Sequence, residues 1–181
     1  MSHDQLPQCP TPDAFEILIS NGQTRHAVDE QQLVTAVRAV LNESDFNSAM
    51  ISLAVVDDAT IHDLNRQFLN HDWPTDVLSF ALQDDDAHLE GEVIISADTA
   101  AAMAAELSCT AEAEQLLYVI HGMLHLIGYC DKTPEDAQLM RIAEARFLGQ
   151  FGWDTTFRNP CGDANSQTVD ADSLPDGAKT Q

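Results

Sequence analysis

Two histidines four residues apart, His121 and His125, are the residues of this chain whose types and spacing most clearly imply chemistry. The segment around them reads as helix, so both imidazoles leave the same face. Such a pair grips a divalent ion well, because imidazole nitrogens reach zinc at about 2.0–2.1 Å. Gly128 follows at a helix-ending position, where a left-handed residue lets the chain turn back. Three residues later that turn brings Asp131, a carboxylate able to act as third ligand. Three protein ligands and one open position make a catalytic zinc site, not a structural one.

Two other readings compete. The segment Gln115–Ile127 is apolar almost all round, and a single buried histidine there would be a hydrogen-bonded core residue. A pair at this spacing, followed by a glycine break and a carboxylate, favours a metal site instead. The pattern H-x-x-x-H-x-x-G-x-x-D also overlaps that of metallopeptidases, H-E-x-x-H-x-x-G-x-x-H. Those enzymes need a glutamate directly after the first histidine as general base, and Gly122 stands there. A peptidase is therefore disfavoured.

Three blocks of sequence resemble the YbeY-type endoribonucleases, the rRNA maturation factors of bacteria. His121-Gly-Met-Leu-His-Leu-Ile-Gly-Tyr129, with Met140 and Glu144 beyond it, is similar to the family's H-G-x-L-H-L-x-G-Y-D-H signature. Leu64-Asn65 and Pro74-Thr-Asp-Val-Leu-Ser-Phe80 resemble its L-N and P-T-D-V-L-S-F blocks. Gly91–Ser96, with Asp98-Thr99-Ala100 after it, supplies the third. The resemblance implies an α+β fold with a mixed four-stranded sheet covered by helices, and a metal-binding helix beside a groove. It implies a metal-dependent, single-strand endoribonuclease acting in rRNA maturation and ribosome quality control. The partners it implies are rRNA or the ribosomal small subunit, with further proteins of ribosome assembly, and neither membrane nor DNA. Thr75, Asp76 and Ser79 would line the groove opposite the metal; read from the residues alone, Thr75 and Asp76 serve equally well as local turn caps.

The chain departs from that pattern twice. Cys130-Asp131 stands where the family has Asp-His, so the third ligand becomes a carboxylate. Its offset of six from His125 matches the family's third histidine; Cys130, one residue earlier, is the rival ligand. Zn²⁺ is the expected ion, one per chain, and the harder oxygen donor extends the range to Mn²⁺ or Fe²⁺. Leu69 stands where the family carries an arginine that the resemblance assigns to the RNA reaction. Arg66, one helical turn earlier, is its nearest substitute, although a solvated surface arginine is the simpler reading. The sequence identifies no general base.

The elements that must position these residues follow from caps and periodicity. Residues 14–153 form the expected domain, between a flexible polar segment (1–13) and a polar tail (154–181) expected to be disordered. Strands are expected at Phe15–Ile19, Met50–Val56, Val77–Leu82 and Glu92–Ser96. Gln83–Gly91 reads as a solvated acidic loop, its Asp84-Asp85-Asp86 run included. Asp29, Asp57-Asp58, Asp98 or Ser96, Thr110 and Thr133 each mark a helix start. The last helix should run to about Phe147 and pack Leu139, Ile142 and Leu148. Glu92 reads as a cross-strand residue in preference to a hydrogen-bond acceptor for a ligating histidine. From these elements alone, the architecture is an α+β or α/β layer fold.

Composition limits the function further. A signal-peptide pattern and an apolar run long enough for a membrane span are both lacking, so a cytoplasmic protein is expected. The four cysteines are scattered, which argues against a disulfide framework. Net charge is −22, with only eight Lys and Arg to meet phosphates. The tail beyond Trp153 carries five acids and two bases, so the acidity belongs to the domain itself. Free RNA should therefore bind weakly. Together with Leu69, this charge supports a second reading, a metal-stabilised ribosome-assembly factor that binds protein and cuts little or no RNA.

Overall fold

The computed structural model describes residues 14–84, 87–153 and 167–169. Four long strands, β1 (Phe15–Asn21), β2 (Ser48–Val56), β3 (Val77–Asp84) and β4 (His88–Ser96), form one mixed sheet with a short edge strand, β5 (Gln167–Val169). The order is β1-β2-β4-β3-β5. β1, β2 and β4 run parallel, β3 is antiparallel to β4, and β5 runs parallel to β3. Five helices complete the domain: α1 (Glu30–Leu41), α2 (Asp58–Leu69), α3 (Ala97–Leu107), α4 (Ala111–Leu126) and α5 (Pro134–Gln150). The expected α+β class and the four strands are found.

Alternation along each strand divides the core in two. Ile51, Leu53, Val55, Leu89, Val93 and Ile95 face α1, α4 and α5 in the main core, with Ala97 and Ala100 of α3. Leu78, Phe80 and Ile94 point the other way and pack beneath α2 on Ile61, Leu64, Phe68 and Leu69. The helix starts fall on the expected caps: the Asp29, Asp57, Ser96, Thr110 and Thr133 side chains each accept a first-turn amide. Of the two candidates for α3, Ser96 is the cap.

Three expectations need correction. Most of Gln83–Gly91 is strand, because β4 begins at His88; residues 85 and 86 lie outside the described residues. The polar look of His-Leu-Glu-Gly-Glu conceals a period of two, in which Leu89 is fully buried and Gly91 lies against Leu126. In α5, Leu148 is buried as expected, but Leu139 and Ile142 are exposed, at 59% and 58%, and Met140, Ala143, Glu144 and Phe147 complete the buried stripe. The helix runs to Gln150 and is rotated so that Glu144 faces α4. Finally, β5 lies within the stretch expected to be tail, and its three residues pair with Leu78–Phe80. The rest of 154–181, like segment 1–13, lies outside the described residues.

Candidate metal centre

Helix α4 is the central element. Residues Glu114 to Leu124 of it are all buried, so its position is fixed by packing on every side. Gly122 permits its closest approach to the sheet. A Cβ there would lie 2.9 Å from Val93 Cγ1 and 3.1 Å from Val77 Cγ2. The position that holds the base of metallopeptidases is thus filled by the sheet, and a glutamate cannot be accommodated. That steric fact removes the peptidase reading.

The helix ends where its sequence indicates. Gly128 adopts φ +99°, a left-handed conformation that suits glycine. The Gly128 amide donates to the His125 carbonyl at 3.0 Å and the Tyr129 amide to the Leu124 carbonyl at 2.9 Å. Those two bonds form a Schellman closure, which reverses the chain. The reversal has two consequences. Tyr129's carbonyl comes back to within 3.1 Å of His125 Nδ1, and Asp131 Oδ2 comes to 3.8 Å from His125 Nε2.

His121, His125 and Asp131 each present a ligand atom, and these atoms lie within 4.8 Å of one another. They are the only such three-residue group of His, Cys, Asp or Glu among the described residues. Cys130 stands outside this group. His121 Nδ1 meets Glu144 Oε1 at 2.6 Å, a contact from α4 to α5 in which both side chains are buried. A carboxylate and a carbonyl only accept, so each imidazole carries its proton on Nδ1. Both Nε2 atoms are then left as bare acceptors, and they face each other at 3.0 Å. The His125 pKa is lowered, first by burial and then by the His121 imidazole, against the opposing pull of Asp131, the Tyr129 carbonyl and Glu144.

This donor set fits a divalent ion. A tetrahedral ion bound at about 2.0–2.1 Å holds two imidazole nitrogens roughly 3.3 Å apart, close to the spacing found here. The outer nitrogens are already hydrogen-bonded, which fixes tautomer and ring orientation. Asp131, with a side chain 29% exposed against 4% for His125, is the open side of the group.

The remaining candidates lie on β3, in the turn before it, on β4 and on α2. Thr75 is buried, its hydroxyl bonds Asp76 Oδ1 at 3.1 Å, and the same oxygen accepts the Val77 amide at 2.9 Å. This is the turn-cap arrangement. Ser79 is buried on β3 across from Val93. Glu92 pairs with Phe80, whose face packs under α2, and so lies on the side of the sheet away from α4. Burial there raises its pKa. The histidine's acceptor is Glu144, which sequence spacing named as part of a signature without giving it a task. Leu69 packs into the smaller core, and the exposed Arg66 pairs with Asp63 at 2.7 Å. Arg66 therefore behaves as a surface residue. Lys132, directly after Asp131, is exposed.

Fold and site together define a single α+β domain with a His-His-Asp group able to take a metal ion. The family model described as Endoribonuclease YbeY matches residues 18–152. A relative named Endoribonuclease YbeY from Rhodopirellula baltica is 37% identical over 149 residues, covering 81% of this chain and 75% of its own length. Another of that name, from Syntrophotalea carbinolica, is 40% identical over 141 residues, covering 74% of this chain and 94% of the relative. A solution structure from Thermotoga maritima superposes with a TM-score of 0.53 at 28% identity, covering 81% of this chain and 98% of that one. The chain belongs to the YbeY endoribonuclease family.

Proposed function

We propose that this protein is a metal-dependent endoribonuclease that cuts single-stranded RNA during rRNA maturation and ribosome quality control in the cytoplasm. Membership of a family named for endoribonuclease activity supports the reaction class. The observation that supports metal dependence is the pair of Nε2 atoms facing each other at 3.0 Å, with Asp131 beside them and each Nδ1 already engaged. Two lone pairs so placed repel unless a cation lies between them. His121, His125 and Asp131 would hold the ion, with Zn²⁺ preferred and Mn²⁺ or Fe²⁺ tolerated because Asp131 contributes a hard oxygen. When bound, such an ion polarises a phosphoryl oxygen and makes a coordinated water more acidic.

The chain's own residues orient the site. Glu144 and the Tyr129 carbonyl hold the two imidazoles in the ligating tautomer. Asp131 is the more exposed side of the group, which supports substrate entry from that direction, and the exposed Lys132 follows it directly in the chain. Among the described residues no helix is long and apolar enough to cross a membrane.

A second reading, an assembly factor acting through protein contacts, draws on Leu69 and the net charge of −22. The experiment that separates them offers single-stranded rRNA fragments to the wild-type protein and to His125→Ala. A nuclease cuts, and the variant does not. Background cleavage by the wild type, with ribosomal proteins still co-purifying, would favour the assembly factor.

A further inference from the structure

We infer that His71 and Trp73 form a stacking platform for an unpaired nucleobase of the RNA; this rests on the nuclease reading and assigns part of its substrate contact. The two rings lie nearly parallel, with centroids 4.8 Å apart and planes 14° from one another. Trp73 is 45% exposed, unusual for so large an apolar side chain in this domain. A wholly buried residue fixes the platform. Asn65 Nδ2 donates to the Trp73 carbonyl at 2.8 Å, and the His71 amide reaches the Asn65 carbonyl at 3.4 Å. Asn70, left-handed at φ 57°, makes the turn between α2 and this segment. The indole is thus presented to solvent on a segment tied to the core.

Its position suits a substrate of the metal centre. Trp73 lies four positions before Val77, a span of at most about 14 Å when fully extended. Val77 Cγ2 touches the Gly122 position, next to His121. A single strand of a few nucleotides reaches from the platform to the cluster.

Charge explains why stacking matters here. Polyanion binding normally rests on Lys and Arg, and the chain has eight against 30 acids. Arg25, Arg66 and Arg146 are each already paired with a carboxylate. Base stacking on an aromatic face needs no cation and tolerates any base. Two exposed acids of α2 and the segment after it are engaged: Asp72 with His62 at 2.9 Å and Asp63 with Arg66 at 2.7 Å. A duplex keeps its bases stacked internally, so the platform selects single strands.

Trp73 and Trp153 are the chain's two tryptophans, so Trp153→Phe leaves Trp73 as sole reporter. This variant, combined with His125→Ala to prevent cutting, is titrated with a short single-stranded oligoribonucleotide and with its duplex. The single strand should quench the indole fluorescence and the duplex should not. Trp73→Ala should weaken single-strand binding on the order of tenfold, with Trp73→Phe intermediate and the salt dependence of binding unchanged. In the cutting enzyme, Trp73→Ala should raise KM while leaving kcat near its original value. Absent quenching, equal quenching by duplex, or unchanged affinity in Trp73→Ala overturns the platform. So does a Trp73→Ala protein that binds RNA normally but loses a ribosomal protein, which would make the platform a protein contact. Quenching without cleavage by the wild type defeats the nuclease reading alone; cleavage with unchanged KM in Trp73→Ala defeats this one alone.

Discussion

Replacing Glu144 with alanine perturbs the candidate metal centre without touching a ligand. The Glu144 carboxylate accepts a hydrogen bond from His121 Nδ1 at 2.6 Å inside the contact between α4 and α5. Removing it leaves a buried N–H with no acceptor, at a cost of about 1–3 kcal/mol to the metal-free protein. It also frees the imidazole to rotate or to move its proton to Nε2, the atom that must ligate. Loss of such an outer partner typically lowers metal affinity by about 10–100-fold. Glu144→Gln keeps an acceptor oxygen at nearly the same place, so its loss should fall at or below the lower end of that range. Two assays separate the effects. Competition with a chromogenic chelator gives the zinc affinity, and urea unfolding in EDTA gives the stability of the metal-free chain. A Glu144→Ala protein that binds zinc as tightly as the wild type would refute the reasoning, whatever its stability.

Further outcomes follow from the same geometry. Gly122→Glu completes the peptidase-like pattern but drives a carboxylate into Val77 and Val93; it should cost about 3 kcal/mol or more in denaturant unfolding and yield no peptidase activity. Asp131→Ala should weaken metal binding by at least about tenfold, Asp131→His should retain it, and Cys130→Ser should change little; an empty site in Cys130→Ser, with Asp131→Ala still loaded, would reverse the ligand assignment. Burial raises the Glu92 pKa, so the favourable contribution of its neutral form is complete at low pH and is lost as pH rises through the folded-state value. Glu92→Gln should therefore be the more stable protein at pH 7, and the two melting curves should converge below the ordinary value of 4.5.

Much of this structure was legible in the sequence because the signals were local. Helix caps are short-range hydrogen bonds, and Asp29, Asp57, Ser96, Thr110 and Thr133 all cap as their types suggest. The site's frame was legible for the same reason: spacing of four on a helix, a left-handed glycine and a carboxylate on the returning chain all lie within eleven residues. What depends on distant partners was not legible. Leu139 and Ile142 look like a core stripe until α5 docks on α4 with Glu144 inward. Likewise β4 gains its first residues from neighbours on both sides, since His88 pairs with Ser48 while Leu89 and Glu90 pair with Asp84 and Gln83. Glu144 shows the limit best, because its partner is 23 residues away and its role exists only once two helices meet.

The most direct test of the central claim is cleavage measured against metal occupancy. Protein stripped with chelator is reloaded with zinc in steps, and at each step bound metal and the initial rate on a single-stranded rRNA fragment are measured together. The account predicts no cleavage at zero occupancy, a rate proportional to bound zinc, and saturation at about one ion per chain. Cleavage that persists at full strength in the metal-free protein would contradict it.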